Sequence, residues 1–144
     1  MKNIGIELRS LSNVIMRFIE QRARARSCDL LTGANGWILG YLLQNADREV
    51  YQHELEEEFS ITRSTASKVV NLMEKKGLVE RRTAEHDARM RRLALTETAE
   101  VLARQMRRES ENLSRILTRG FAPEEIEKLY DYIERMKKNL RDEG

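Results

Sequence analysis

The sequence predicts a mainly α-helical chain with one small β-hairpin. Apolar residues recur at helical spacing through most of the 144 residues, and there are only seven glycines and one proline. Aromatic residues make up 6% and charged residues 35%, which suits long, exposed helix faces. Only the stretch 78–95 breaks the helical period, with two short extended segments flanking a charged turn.

Ile4, Leu8, Leu11, Ile15 and Phe18 are spaced four, three, four, three, a heptad-like stripe that predicts a long helix over 3–26. Residues 27–31 interrupt it. Thr32 is then suited to cap a second helix over 33–45, with Trp37, Ile38, Tyr41 and Leu42 as its apolar positions. Gly33, Gly36 and Gly40 weaken that helix by up to ~1 kcal/mol each where they are interior. Gly36 and Gly40 share a face, so a neighbouring backbone or a ligand approaches closely there.

A short helix over 52–59 buries Leu55 and Phe59, and the next runs over 63–76. In it Ala66, Val69, Val70 and Met73 follow the inward i, i+3, i+4, i+7 pattern, leaving Arg63, Ser64, Ser67, Lys68 and Asn71 outward. Gly77 fits the residue after a helix end, behind Lys75 and Lys76. Residues 78–83 and 91–95 read as strands. Thr96 caps a helix that runs to 119 and carries Ala99, Leu102, Met106, Leu113 and Ile116 on its stripe, with Glu109 as the exception. Pro123 opens the last helix, striped by Ile126, Leu129, Ile133, Met136 and Leu140. Three heptad-striped helices lack enough intrachain surface to cover them, which predicts a homodimer.

Composition narrows the function. No stretch reaches the ~20 apolar residues of a membrane span, and Glu7 and Arg9 interrupt any secretory signal, so no membrane partner and a cytoplasmic location are expected. The single cysteine, Cys28, excludes an internal disulfide and a cysteine-based zinc site. His53 and His86 are far apart, and neither a phosphate loop nor a paired-carboxylate motif stands out. No metal, cofactor or enzymatic activity is therefore expected. The net charge is only +2, yet Arg63 to Arg92 holds nine Lys or Arg against four Asp or Glu, beside the acidic run Glu54, Glu56, Glu57 and Glu58. This asymmetry marks a directed basic surface.

A helix presenting Arg63, Ser64, Thr65, Ser67, Lys68 and Asn71, followed at once by a basic hairpin, suits double-stranded DNA. Arginine pairs bidentately with guanine, and small hydroxyls let the helix lie close to bases and phosphates. Arg89, at the hairpin tip, is the candidate for the minor groove. Asp87 is better suited to orienting a neighbouring arginine than to facing phosphate. Arg81, Arg82, Arg91 and Arg92 are candidate phosphate contacts, about half of which strand alternation turns elsewhere. Truncation of Arg89 would weaken binding by roughly 1–3 kcal/mol.

These residues carry a resemblance. The chain resembles the MarR family of bacterial winged helix-turn-helix regulators over essentially its whole length. The matching features are Leu31-Thr32, Ser64-Thr65-Ala66-Ser67, the run from Leu72 to Arg81, Asp87-Ala88-Arg89 in the wing, and Leu95-Thr96-Glu97. Ala99 and Ala122 depart from the glycine and the Ser or Thr common in the family, both at helix starts. The resemblance implies a winged helix-turn-helix lobe over 32–96 and a dimerisation domain from 1–31 and 97–144. It further implies a pseudo-palindromic operator, and a repressor relieved by a small ligand or by cysteine oxidation. Phe18, Trp37 and Tyr41 either line the family's cleft for aromatic or phenolic effectors or belong to the core. Cys28 beside Arg26 and Asp29 is a redox-sensing candidate or an inert thiol. The rival reading is a dimeric winged helix that has lost its operator and binds another protein.

Overall fold

The computed structural model describes residues 2–25, 35–87 and 89–144. The chain order is α1 (Ile4–Ala25), α2 (Gly36–Gln44), α3 (Gln52–Glu58), α4 (Arg63–Lys75), β1 (Val79–Thr83), β2 (Arg91–Leu95), a 3-10 turn (Glu97–Ala99), α5 (Glu100–Leu117) and α6 (Pro123–Glu143). The Thr32 cap, Gly33 and Cys28 lie outside the described residues. Two compact units divide the chain, Met1–Arg108 and Glu109–Gly144.

The core of the first unit is built from the residues that the periodicity turns inward. Leu39, Leu55, Val70, Met73 and Val79 are essentially inaccessible, and Ile38, Leu42, Val50, Val69, Leu78, Leu93, Ala99 and Ala103 complete the cluster. All four inward positions of α4 are buried. Gly77 has φ +73, a conformation glycine adopts without steric penalty. Its amide donates to the Glu74 carbonyl (3.0 Å).

The face of α2 that bears Gly36 and Gly40 meets α5. A Cβ at Gly40 would stand 3.3 Å from the Arg107 backbone, and one at Gly36 would stand 2.5 Å from Met106 Sδ. A neighbouring helix, rather than a ligand, therefore accounts for this glycine pair, and Gly40 sets how near the two backbones come.

β1 and β2 pair antiparallel with Val79 opposite Leu95, Arg81 opposite Leu93 and Arg82 opposite Arg92. A third, one-residue segment joins them: Val50 bridges Leu93, whose amide donates to the Val50 carbonyl at 2.7 Å. The helix expected to follow Thr96 starts as a 3-10 turn. The Thr96 hydroxyl accepts from the Ala99 amide (3.3 Å) and donates to the Gly77 carbonyl (2.7 Å), so this cap also ties the end of the hairpin to the end of α4.

α1 exposes Ile4, Ile6, Leu8, Leu11 and Val14, and no residue from Ile4 to Arg24 is buried. In the second unit the Glu125 carboxylate accepts from the Ala122 amide at the start of α6 (2.8 Å). This helix buries nothing, and Leu140 is 76% exposed. No helix among the described residues is long and apolar enough to cross a membrane.

Candidate nucleic-acid interface

α4 begins at a cap that inspection of the sequence passed over. Thr62 Oγ1 accepts from the Thr65 amide (3.1 Å) and donates to Thr65 Oγ1 (3.0 Å). The hydroxyl of Thr65 is therefore already engaged at the helix start. Arg63, Ser64, Lys68 and Asn71 are exposed along the outer face, and Ser67 is half-buried. Asn71 is not a free amide: its Oδ1 accepts from Arg81 at 2.8 Å, and the same guanidinium pairs with Glu74 at 2.9 Å. Arg81 thus straps β1 to α4.

The hairpin register separates the candidate arginines. Arg82 lies opposite Arg92 and Arg91 opposite Thr83, so Arg82 and Arg91 are on different faces of the ladder. Arg82 is occupied by Glu80 (2.8 Å). At the tip, Asp87 accepts from the Arg89 amide (2.9 Å) and from its guanidinium Nε (3.3 Å). These bonds, the backbone one foremost, hold the Asp87 carboxyl below its ordinary pKa. The Arg89 side chain remains 91% exposed, oriented by Asp87 but not covered.

Arg63, Lys68 and Arg91 differ from these paired cations. None has an ion pair or side-chain hydrogen bond among the described residues. Arg63 from α4 and Arg91 from β2 line one groove of about 360 Å³ with Tyr51, Gln52, His53, Glu56 and Met90. Two unneutralised guanidiniums from different elements therefore face one concavity between the start of α4 and the hairpin. Such an arrangement can take an anionic strand, since a guanidinium already neutralised by a carboxylate has less to offer a phosphate.

The turn that follows β1 has a feature that gave no signal in the sequence. Glu49 Oε1 accepts from the Glu85 amide (3.0 Å). Its Oε2 accepts from the Tyr51 hydroxyl and lies 3.3 Å from His86 Nδ1. The Tyr51 ring stacks on His53 and meets the His86 ring edge-on, with centroids 5.8 and 6.0 Å apart. His86 is thus held against a carboxylate within the turn that follows β1. Glu54 is likewise more than a solvated charge: it pairs with Arg48 (2.7 Å) and accepts from the Tyr51 amide (3.3 Å).

The hydrogen bond from Tyr51 keeps the Glu49 carboxyl below its ordinary 4.5, and the same bond pushes the Tyr51 phenol up to about 12. The raised phenol contributes stability that is complete below its ordinary value of 10 and lost as pH rises through about 12. The depressed carboxyl contributes stability that is present above 4.5 and lost as pH falls through its lowered value. Ultraviolet titration of the four tyrosines is accordingly expected to show one phenol ionising near pH 12. That late step should vanish in Tyr51→Phe and move towards 10 in Glu49→Ala.

The aromatic trio is dispersed in role. Tyr41 packs edge-on to Phe59 at 5.8 Å, and its hydroxyl accepts from Arg48 (3.2 Å). Phe18 is half-buried under the Arg22 guanidinium, 5.5 Å from its ring centroid, and Trp37 is half-buried. None of the three lines the groove at the wing.

A helix pair whose second member presents hydroxyls and cations, followed by a two-stranded hairpin carrying an exposed arginine, defines the winged helix-turn-helix class. Residues 31–90 match the sequence profile of the MarR family. The transcription regulator MarR from Oenococcus oeni PSU-1 is 32% identical over 94% of this chain and 99% of its own, with a TM-score of 0.84. The chain belongs to the MarR family of transcriptional regulators, whose members are not enzymes. The HTH-type transcriptional regulator YybA of Bacillus subtilis (strain 168) is 26% identical over 91 residues, 63% of this chain. The chain spans 61% of the length of that curated relative. The haem sensor PefR of Streptococcus agalactiae is 27% identical. With haem it covers 97% of this chain and 95% of its own at a TM-score of 0.60. Its haem-free form covers 95% and 99% at 0.71.

Proposed function

We propose that the chain is a homodimeric repressor that binds a pseudo-palindromic operator in double-stranded DNA and releases it when a small effector binds. The observation that carries this reading is the set of exposed, unpaired cations, Arg63, Lys68 and Arg91, beside a wing whose Arg89 is held outward by Asp87. α4 enters the major groove, with Arg63, Ser64, Ser67 and Lys68 nearest the bases and phosphates. Arg91 takes the backbone, and Arg89 reaches the minor groove. Residues 1–31 and 97–144 supply the dimer contact, and exposed Ile4, Ile6, Tyr130 and Leu140 support it. A cytoplasmic location fits this role. PefR, a haem sensor, supports response to a small molecule, with an aromatic or phenolic effector as the candidate class.

The test combines light scattering with selection of duplexes from a random pool. A dimeric mass is expected, with two half-sites about one helical turn apart. The log–log salt slope should be steep, about −0.9 per neutralised phosphate. A monomer, or a chain that enriches no duplex and shows a flat slope, overturns the reading in favour of a protein-binding module.

A further inference from the structure

We propose that Glu49, with Tyr51 and His86, is a positioning clamp that fixes the angle of the wing and so places Arg89 on DNA; this rests on the DNA-binding function proposed for the chain. The hairpin is otherwise joined to the segment before α3 through the single bridge Val50–Leu93. Arg89 lies in the turn four residues from Leu93, at most roughly 13 Å away at ~3.3 Å per residue. A two-stranded hairpin is only marginally stable by itself. Here the base is fixed by Arg81 on Asn71 and Glu74 and by the Thr96 cap, so the motion left to the hairpin is bending of its distal end beyond Leu93. A rotation of about 10° moves a point 13 Å away by roughly 2 Å, a third of a minor groove ~6 Å wide.

Glu49 supplies a second attachment, in the turn just past β1. Val50 holds β2, while the neighbouring Glu49 carboxylate reaches the exit of β1 at the Glu85 amide (3.0 Å) and at His86 Nδ1 (3.3 Å). Tyr51 completes the clamp from the other side. Its hydroxyl donates to the same carboxylate, and its ring edge meets His86. The three consecutive residues Glu49, Val50 and Tyr51 therefore hold β2 at Leu93 and the turn that follows β1 at Glu85 and His86, which opposes bending between those two points. Arg92 adds a favourable charge towards Glu49 from β2. Glu49 is not among the groups placed on DNA, and Tyr51 lines the Arg63–Arg91 groove while its hydroxyl is taken by Glu49, so the coupling of either residue to Arg89 is what separates a clamp from a direct contact.

A double-mutant cycle tests this. Affinity for a duplex enriched by the wild-type chain is measured for Glu49→Ala and Tyr51→Phe, each with Arg89 intact and with Arg89→Ala, and circular dichroism checks the fold. With Arg89 present, Glu49→Ala should weaken binding about tenfold and Tyr51→Phe, which keeps the ring, about threefold. With Arg89→Ala the further loss should fall below about twofold, because a wing without its reader gains nothing from being aimed. If Glu49→Ala unfolds, the Tyr51→Phe arm decides. Unchanged affinity of the single variants, or losses that add in full to that of Arg89→Ala, overturns the clamp while DNA binding stands. A wild-type chain that retains no duplex sinks the DNA-binding function, and the clamp's role with it.

Discussion

Replacing Arg63, Lys68 and Arg91 together with alanine is expected to weaken duplex binding by roughly two to three orders of magnitude at low salt and to flatten the salt slope by about 2.7 per half-site, close to 0.9 for each phosphate no longer neutralised. The expectation follows from availability more than from the number of charges. Arg81 is bound to Glu74 and Asn71, and Arg82 to Glu80. Either would have to give up an internal partner before meeting a phosphate. The three unpaired cations give up only water and counterions, whose release drives the association. Arg82→Ala is the internal comparison and should change the slope by much less. A slope that falls equally for paired and unpaired arginines would show that the chain presents a diffuse positive surface and does not act through these three side chains.

The largest effect on stability is expected at Met73. Its side chain is inaccessible and sits in the cluster that joins α2, α3, α4 and the hairpin. Met73→Ala removes most of that side chain and leaves a cavity that its neighbours fill only in part. The cost is about 2–5 kcal/mol, which lowers the thermal midpoint by on the order of 10 °C. Leu72, one position earlier, is 40% exposed, and Leu72→Ala should stay within about 0.5 kcal/mol. Calorimetry on the pair checks both. Similar losses at the two positions would mean that the outer face of α4 is covered in solution.

The contrast between Met73 and Leu72 is also what the sequence showed best. A helix that buries one face repeats its apolar residues at fixed intervals, so Ala66, Val69, Val70 and Met73 could be assigned to the core without coordinates. Gly77 and Thr96 were legible for a related reason: a left-handed turn and a helix cap each select few residue types. Thr62 carries the same capping signal, but the inward apolar period that would mark the helix start begins only at Ala66.

The parts that escaped have no period. Val50 contributes one residue to the sheet, and one residue cannot alternate. Glu49 and Glu85 are 36 positions apart, a separation that only the folded chain closes. The pairing of arginines escaped as well, because charge along the sequence does not say which guanidinium finds a carboxylate. Strand alternation anticipated that about half of the hairpin arginines would turn away, and the register shows Arg82 and Arg91 on opposite faces. Two glycines on one helix face specify a close approach but not the partner, which the fold supplies as the Arg107 backbone, 3.3 Å from where a Cβ of Gly40 would stand.

β1 pairs with β2 on one side, and among the described residues its other edge has no strand against it. An uncovered edge is a template for another chain in extended conformation, and natural sheets blunt such edges with charge. Here the five residues of β1 include Glu80, Arg81 and Arg82, with Glu80 and Arg82 joined to each other and exposed. An arginine held by a neighbouring carboxylate thus has a different use. It keeps the wing from recruiting its own kind into a growing sheet, and valines at Glu80 and Arg82 would turn this short edge into a nucleus for aggregation.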